Sequence, residues 1–253
     1  MSEHVTVETS NRVMTVTMNR PDKKNAINQA MYAAMADAIL AYGTDDATRA
    51  LVITGTGDMF SAGKDLKEVE FGEGMPAGEP PVVRFLRAIR DCPKPIIGAV
   101  NGGAVGIGLT MLLHCDLVYV AESARLSAPF ASLGLVPEAA SSILLPAAVG
   151  AAVANDIFMT GRWLSAAEAL DFGLAARMFP DADFAAEVGK IAAQVAASAP
   201  TAMKRTKALV RHRAEEIATQ MDRELAVFAE QLRSPEFAEV LSARGEKRMP
   251  EFG

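Results

Sequence analysis

Residues that bind metals or cross-link chains are scarce here. The 253 residues include two cysteines, Cys92 and Cys115, and three histidines, His4, His114 and His212. Two distant thiols with no CxxC exclude a disulfide scaffold and a zinc-ribbon site, and fit a reducing compartment. The histidines are too far apart for a local ligand set, so no metal is expected. A basic excess is absent too. Lys and Arg number 25 against 31 Asp and Glu, a net charge of −6, which speaks against a nucleic-acid partner. No apolar run approaches the ~18 residues that span a bilayer, so no membrane partner is expected. The opening MSEHVTVETS has neither the basic segment nor the apolar run of a secretory signal, and a cytoplasmic location is expected.

What is present is the composition of a globular α/β protein: half the residues are hydrophobic and 22% are charged. HVTVE and RVMTVTM alternate apolar and polar residues and predict a hairpin. NRPDKKNAIN (19–28) reads as a loop, with Asn28 capping a helix that runs to about Tyr42 and ends at Gly43. ALVITG, PIIGAVNG and DLVYVA predict buried strands at 50–55, 95–102 and 116–121. Helical spacing is expected in SAGKDLKEVE after its first turn, in 82–92, and in GIGLTMLLHC. Residues 72–81 are glycine- and proline-rich and predict a surface loop. Strands alternating with helices point to stacked ββα units. Beyond about residue 151 nearly every segment is helical, with too little sheet for a separate core.

Two glycine-rich junctions follow buried strands: FSAGKDL (60–66) and NGGAVGIGL (101–109). Amides freed at such turns can hold an anion or polarise a carbonyl. Other glycine motifs do not fit. In GTGDMFSAGK the interval from Gly57 to Gly63 is one residue too long for a P-loop, and Asp65 stands where a Ser or Thr should meet magnesium. GGAVGIG does not match the dinucleotide fingerprint, and no GxSxG elbow occurs. What remains is an oxyanion hole without a metal or a nucleophile, suited to forming an enolate. A single acid, Glu138, lies among apolar and small residues in GLVPEAASS (134–142). It is either a surface-turn glutamate or a buried acid with a raised pKa. His114, on an apolar helix face, reads as a satisfied core histidine.

FSAGKDL followed by PKPIIGAVNGGAVGIGLTMLLHCDLVYV resembles the signature of the enoyl-CoA hydratase/isomerase (crotonase) superfamily. NRPDKKNAIN, LSAPFASLGLVPEAASSILLP and GEKRMP match in type and order, so the resemblance covers essentially the whole chain. It implies an α/β fold, a spiral of ββα units. Residues 1–195 would form the site-bearing core, and 196–253 a helical region for assembly as a homotrimer or dimer of trimers. It also implies an acyl-CoA thioester as partner, with coenzyme A belonging to the substrate and no separate cofactor. By position the thioester oxygen would meet the backbone amides of Lys64 and Ile107. The neighbouring substrate contacts would be Lys24, Ala26, Ala62, Gly63, Asp65, Leu66, Gly106, Phe130 and Pro137. Arg20, Lys23, Lys24, Lys247 and Arg248 are candidates for the coenzyme's phosphates, against the alternative of solvated surface charge. Asp65 adjoins the acyl pocket but also reads as a first-turn helix acid.

Hydratases of this family use two glutamates, and the matching positions here are Thr110 and Phe130. Neither can act as a carboxylate base. PEAASS instead resembles the segment that carries the single glutamate of the family's 3-enoyl-CoA isomerases. The resemblance therefore implies a shift of 3-enoyl-CoA to 2-enoyl-CoA with Glu138 as base. Another crotonase reaction (hydratase, dehalogenase or thioester hydrolase) and a non-catalytic acyl-CoA-binding protein remain the alternatives.

Overall fold

A computed structural model of the chain describes residues 3–66 and 79–253. Its strands fall into two sheets. β1 (Val5–Ser10) and β2 (Val13–Met18) form the expected hairpin, and β2 alternates so that Met14, Val16 and Met18 are buried. β1 lies at the sheet edge and buries only Val5. Three further strands, β3 (Ala50–Gly55), β5 (Ile96–Val100) and β7 (Leu117–Ala121), run parallel beside β2. Their near-continuous apolar character follows from cover on both faces. Each is followed by a short strand that turns into the second sheet: β4 (Met59–Ser61), β6 (Gly103–Val105) and β8 (Arg125–Ser127), also parallel. β9 (Leu164–Ser165) closes the small sheet antiparallel to β8, and β10 (Arg177–Phe179) extends the large one beside β7. One strand per turn in each sheet is the ββα spiral.

Helices cover both faces of the large sheet. On one face α1 (Gln29–Thr44) packs against α2 (Pro81–Asp91), with the Tyr32 and Phe85 rings 5.7 Å apart. Asn28 caps α1 by accepting from the Met31 N–H at 2.9 Å. Gly43 does not end this helix: it continues to Thr44, and Asp45 closes it. On the opposite face α7 (Phe184–Ala197) sets Phe184, Val188 and Ala192 against Val52, Ile97, Ala99, Tyr119 and Ala121. The helix expected after Asp65, and most of the loop expected over 72–81, lie outside the described residues.

α3 (Ile107–Thr110) continues as a 3₁₀ turn to His114. α4 (Ser141–Val149), α5 (Ala151–Thr160) and α6 (Ala166–Asp171) follow, and then α8 (Pro200–Val210), α9 (Ala214–Gln231) and α10 (Pro235–Glu246). The last three are anchored individually. Lys207 on α8 donates to the Lys94 carbonyl at 2.7 Å and to Asp116 at 2.8 Å. α9 buries Met221 and Glu224, and α10 buries Phe237, Val240 and Ala243. No helix among the described residues is long and apolar enough to cross a membrane.

Candidate active site

Three chain segments meet at the crossover between the sheets. The first is the loop Arg20–Ile27, in which Lys24 and Asn25 adopt left-handed backbone at φ 54° and 53°. Buried Asn25 explains the bend: its side-chain amide donates to the carbonyls of Thr56 (2.9 Å) and Met59 (2.7 Å), and its carbonyl accepts from the Ser61 hydroxyl. The second segment, Ala62–Leu66, runs alongside it. The Ala62 N–H donates to Lys24 O, the Ile27 N–H to Gly63 O, and the Asp65 N–H to Ile27 O. Lys24, Ala26 and the residues 62–66 are thereby brought together.

The third segment is the turn into α3. Gly63 has φ +89°, and a Cβ there would stand 2.8 Å from the Val105 carbonyl and 3.9 Å from the Gly106 Cα. Likewise a Cβ on Gly108 would stand 2.9 Å from the Ser61 carbonyl. The two glycine turns therefore touch through backbone, which only glycine permits. Ile107 opens α3, so its amide has no carbonyl one turn back to receive it. The Lys64 amide follows Gly63 on the adjoining turn. The Gly106 N–H, by contrast, is used to tie the turn to Ser127 O at 2.9 Å.

Glu138 stands against this assembly. It is 7% exposed, and the Thr110 hydroxyl, one helical turn beyond the Ile107 amide, donates to its carboxylate. The Thr110 hydroxyl thus serves Glu138 directly. Burial pushes the Glu138 carboxyl up to about 7. The Thr110 bond and the charge of Lys64 pull it down, and the charge of Glu224 pushes it further up. Burial lowers the Lys64 ammonium, while Glu138 raises it. Tyr32 is raised by burial first and by Glu138 second. Glu138 is thus the buried acid, not the surface-turn glutamate.

The backbone around Glu138 is unusual. Ala139 and Ala140 are both left-handed, at φ 62° and 55°, before α4 begins. His114 holds this turn: its Nε2 lies 2.7 Å from the Ala139 carbonyl. Burial lowers the imidazole to about 4, so it is neutral near pH 7 and the contact is Nε2–H donating. Pro137 is half-buried before Glu138, and Phe130 is buried with its ring 6.5 Å from that of Phe158.

Some candidates are already engaged. Arg20 donates to Asp65 at 2.7 Å and to the Ala26 carbonyl at 3.1 Å, latching the first segment to the second. Asp65 therefore serves that latch. Arg248 is paired with Glu239 and Glu246. Lys23, Lys24 and Lys247 are exposed. Glu224 was missed by sequence reasoning. Its signal was its place on the α9 stripe of Ile217, Met221, Leu225 and Phe228, where an acid is out of character. Among the described residues no group of three His, Cys, Asp or Glu side chains is placed to hold a metal.

Known proteins share this architecture. A solved enoyl-CoA hydratase/isomerase from Pseudoalteromonas atlantica T6c superposes with TM-score 0.96 at 51% identity, covering 99% of this chain and 100% of that one. The peroxisomal enoyl-CoA delta isomerase 3 of Mus musculus is 34% identical over 95% of this chain and 77% of that protein. A 4-chlorobenzoyl coenzyme A dehalogenase-2 from Arthrobacter sp is 35% identical over 97% of this chain and 92% of its own length. The family model described as enoyl-CoA hydratase/isomerase matches residues 8–253. With the spiral of ββα turns and the paired glycine junctions, this match leads to one conclusion: the chain belongs to the enoyl-CoA hydratase/isomerase family.

Proposed function

We propose that the protein shifts the double bond of a 3-enoyl-CoA to the 2-enoyl position, with Glu138 as the shuttling base. The observation that carries this reading is one buried carboxyl, pushed up to about 7, beside two touching glycine turns. By the resemblance, the two glutamates of hydratases would fall at Thr110 and Phe130. The thioester oxygen would accept from the amides of Lys64 and Ile107. Glu138 would take a proton from C2, leaving a dienolate whose charge rests on that oxygen, and return the proton at C4. The base is regenerated and no co-reactant is consumed. A carboxyl near 7 is better matched to a weak carbon acid than an ordinary one. Each oxyanion donor would supply about 3 kcal/mol.

Lys24, Ala26, Ala62, Gly63, Asp65, Leu66, Gly106, Phe130 and Pro137 would surround the acyl-CoA. Lys23, Lys24 and Lys247, exposed and outside any buried ion pair, are the basic side chains suited to its phosphates. We also propose that 196–253 assembles copies of the 1–195 core into a homotrimer or dimer of trimers. In support, Leu209, Val210 and Met249 are 78%, 72% and 82% exposed in that segment, more apolar surface than water favours. A panel of 2- and 3-enoyl-CoAs followed by absorbance and mass tests the chemistry. Isomerisation of 3-enoyl-CoA that is lost in Glu138→Gln is expected. Hydration of a 2-enoyl-CoA without isomerisation would overturn it in favour of a hydratase, and binding without turnover in favour of a non-catalytic carrier.

A further inference from the structure

The turn that carries Glu138 is fixed from a distant part of the chain. α4 opens without a side-chain cap of its own, because its N-cap residue is the left-handed Ala140. The missing acceptor comes from α9, whose Glu224 lies 82 residues beyond Ser142. Glu224 Oε1 accepts the Ser142 N–H at 3.0 Å and also the Ser142 hydroxyl. That hydroxyl in turn accepts from the Gln220 side-chain amide at 2.8 Å. Burial raises the Glu224 carboxyl, and the two Ser142 donors work against it by favouring the ionised form. Glu224 is 6% exposed, and the Ala140 N–H also pulls its carboxyl down, so the acid faces the turn itself.

We propose that Glu224 is a positioning residue for Glu138: through Ser142 it locks the start of α4, and with it the Ala139–Ala140 turn from which the Glu138 side chain projects. His114 holds the same turn from the other side, at the Ala139 carbonyl. The turn is thus clamped at both ends by side chains from α9 and from the α3 extension. Glu224 also acts through charge. The groups that face Glu138 are the Thr110 hydroxyl from α3, Lys64 from the glycine turn, Tyr32 from α1 and Glu224 from α9. Glu224 is the one like charge among them, so it holds the Glu138 proton on against Lys64 and Thr110. The role rests on Glu138 being the base, but the clamp and its field are measurable without turnover.

The test uses two substitutions in the full chain. Glu224→Gln keeps an acceptor for Ser142 and removes the charge, whereas Glu224→Ala removes both. Carbon-13 NMR of protein labelled at glutamate carboxyls, with Glu138→Gln to assign the signal, reads the Glu138 titration directly. Hydrogen exchange of the segment 139–145 reads the clamp. In Glu224→Gln the Glu138 signal should titrate lower by about half to one pH unit, with exchange protection retained. In Glu224→Ala the segment should exchange at least about tenfold faster, equivalent to the ~1.4 kcal/mol of one hydrogen bond. An unmoved Glu138 titration in Glu224→Gln, or unchanged exchange in Glu224→Ala, overturns the proposal. If both changes appear but 3-enoyl-CoA is not isomerised, the functional reading falls and this one stands.

Discussion

The two halves of the site are built by opposite means. The glycine turns at 62–66 and 106–108 are made of backbone: Gly63 and Gly108 let carbonyls approach within 2.8 and 2.9 Å of a would-be Cβ. Their own amides and carbonyls close the structure. The glutamate turn at 137–142 has no glycine. Alanines take left-handed backbone there, at about 1–2 kcal/mol each, and are held by His114 and Glu224 from elsewhere in the chain. The proposed oxyanion hole needs bare N–H groups, and glycine is the means to expose them. The proposed base needs a side chain in dry surroundings, and its turn is packed with small side chains and held by long-range hydrogen bonds.

Substitutions test this contrast. The largest expected effect on stability is the cost of burying the carboxyl of Glu138. Its carboxyl titrates at about 7 in the fold against 4.5 in the unfolded chain. Folding is therefore disfavoured progressively as pH rises from 4.5 and fully so above 7. Glu138→Gln should be up to about 3 kcal/mol more stable than the parent at pH 8 and equal to it below pH 4.5, read by urea melts. Next is Gly63→Ala, which meets both a positive φ and the Val105 carbonyl. Turnover of 3-enoyl-CoA should fall about a hundredfold as the Lys64 amide is displaced. Thr110→Val removes a bond that stabilises the ionised Glu138, so the acid limb of the rate profile should move to higher pH by less than about one unit. The smallest effect belongs to Ala140→Gly. Relief of left-handed strain and the entropy of an added glycine nearly cancel, and thermal melts should shift by no more than about 1 kcal/mol in stability.

The same contrast explains what the sequence disclosed. Both glycine turns were legible because glycines after apolar strands announce a close approach of backbone. The hairpin, the three buried strands and the Asn28 cap were legible from alternation, apolar runs and cap chemistry. Glu138 was legible as one acid between apolar runs, and the structure buries it. Glu224 was not, because its partner Ser142 is 82 residues away and only the packing of α9 on α4 joins them. The left-handed Ala139 and Ala140 were hidden because alanine ordinarily signals helix. Arg20 read as either a phosphate candidate or a solvated surface charge, since nothing local reveals that Asp65 takes it. Gly43 looked like a helix stop, but the chain there needs no left-handed turn, and Asp45 closes the helix instead.

The central claim is that one buried glutamate, near neutrality in its ionisation, moves the proton. The most direct measurement is the pH dependence of kcat/KM for 3-enoyl-CoA isomerisation in the parent protein and in Glu138→Gln. The parent should rise through a single ionisation at about 7, since the free enzyme's base sets that limb. Glu138→Gln should lose about two to four orders of magnitude with no such limb. A parent profile flat from pH 5 to 9, or a Glu138→Gln protein turning over at the parental rate, would contradict the account.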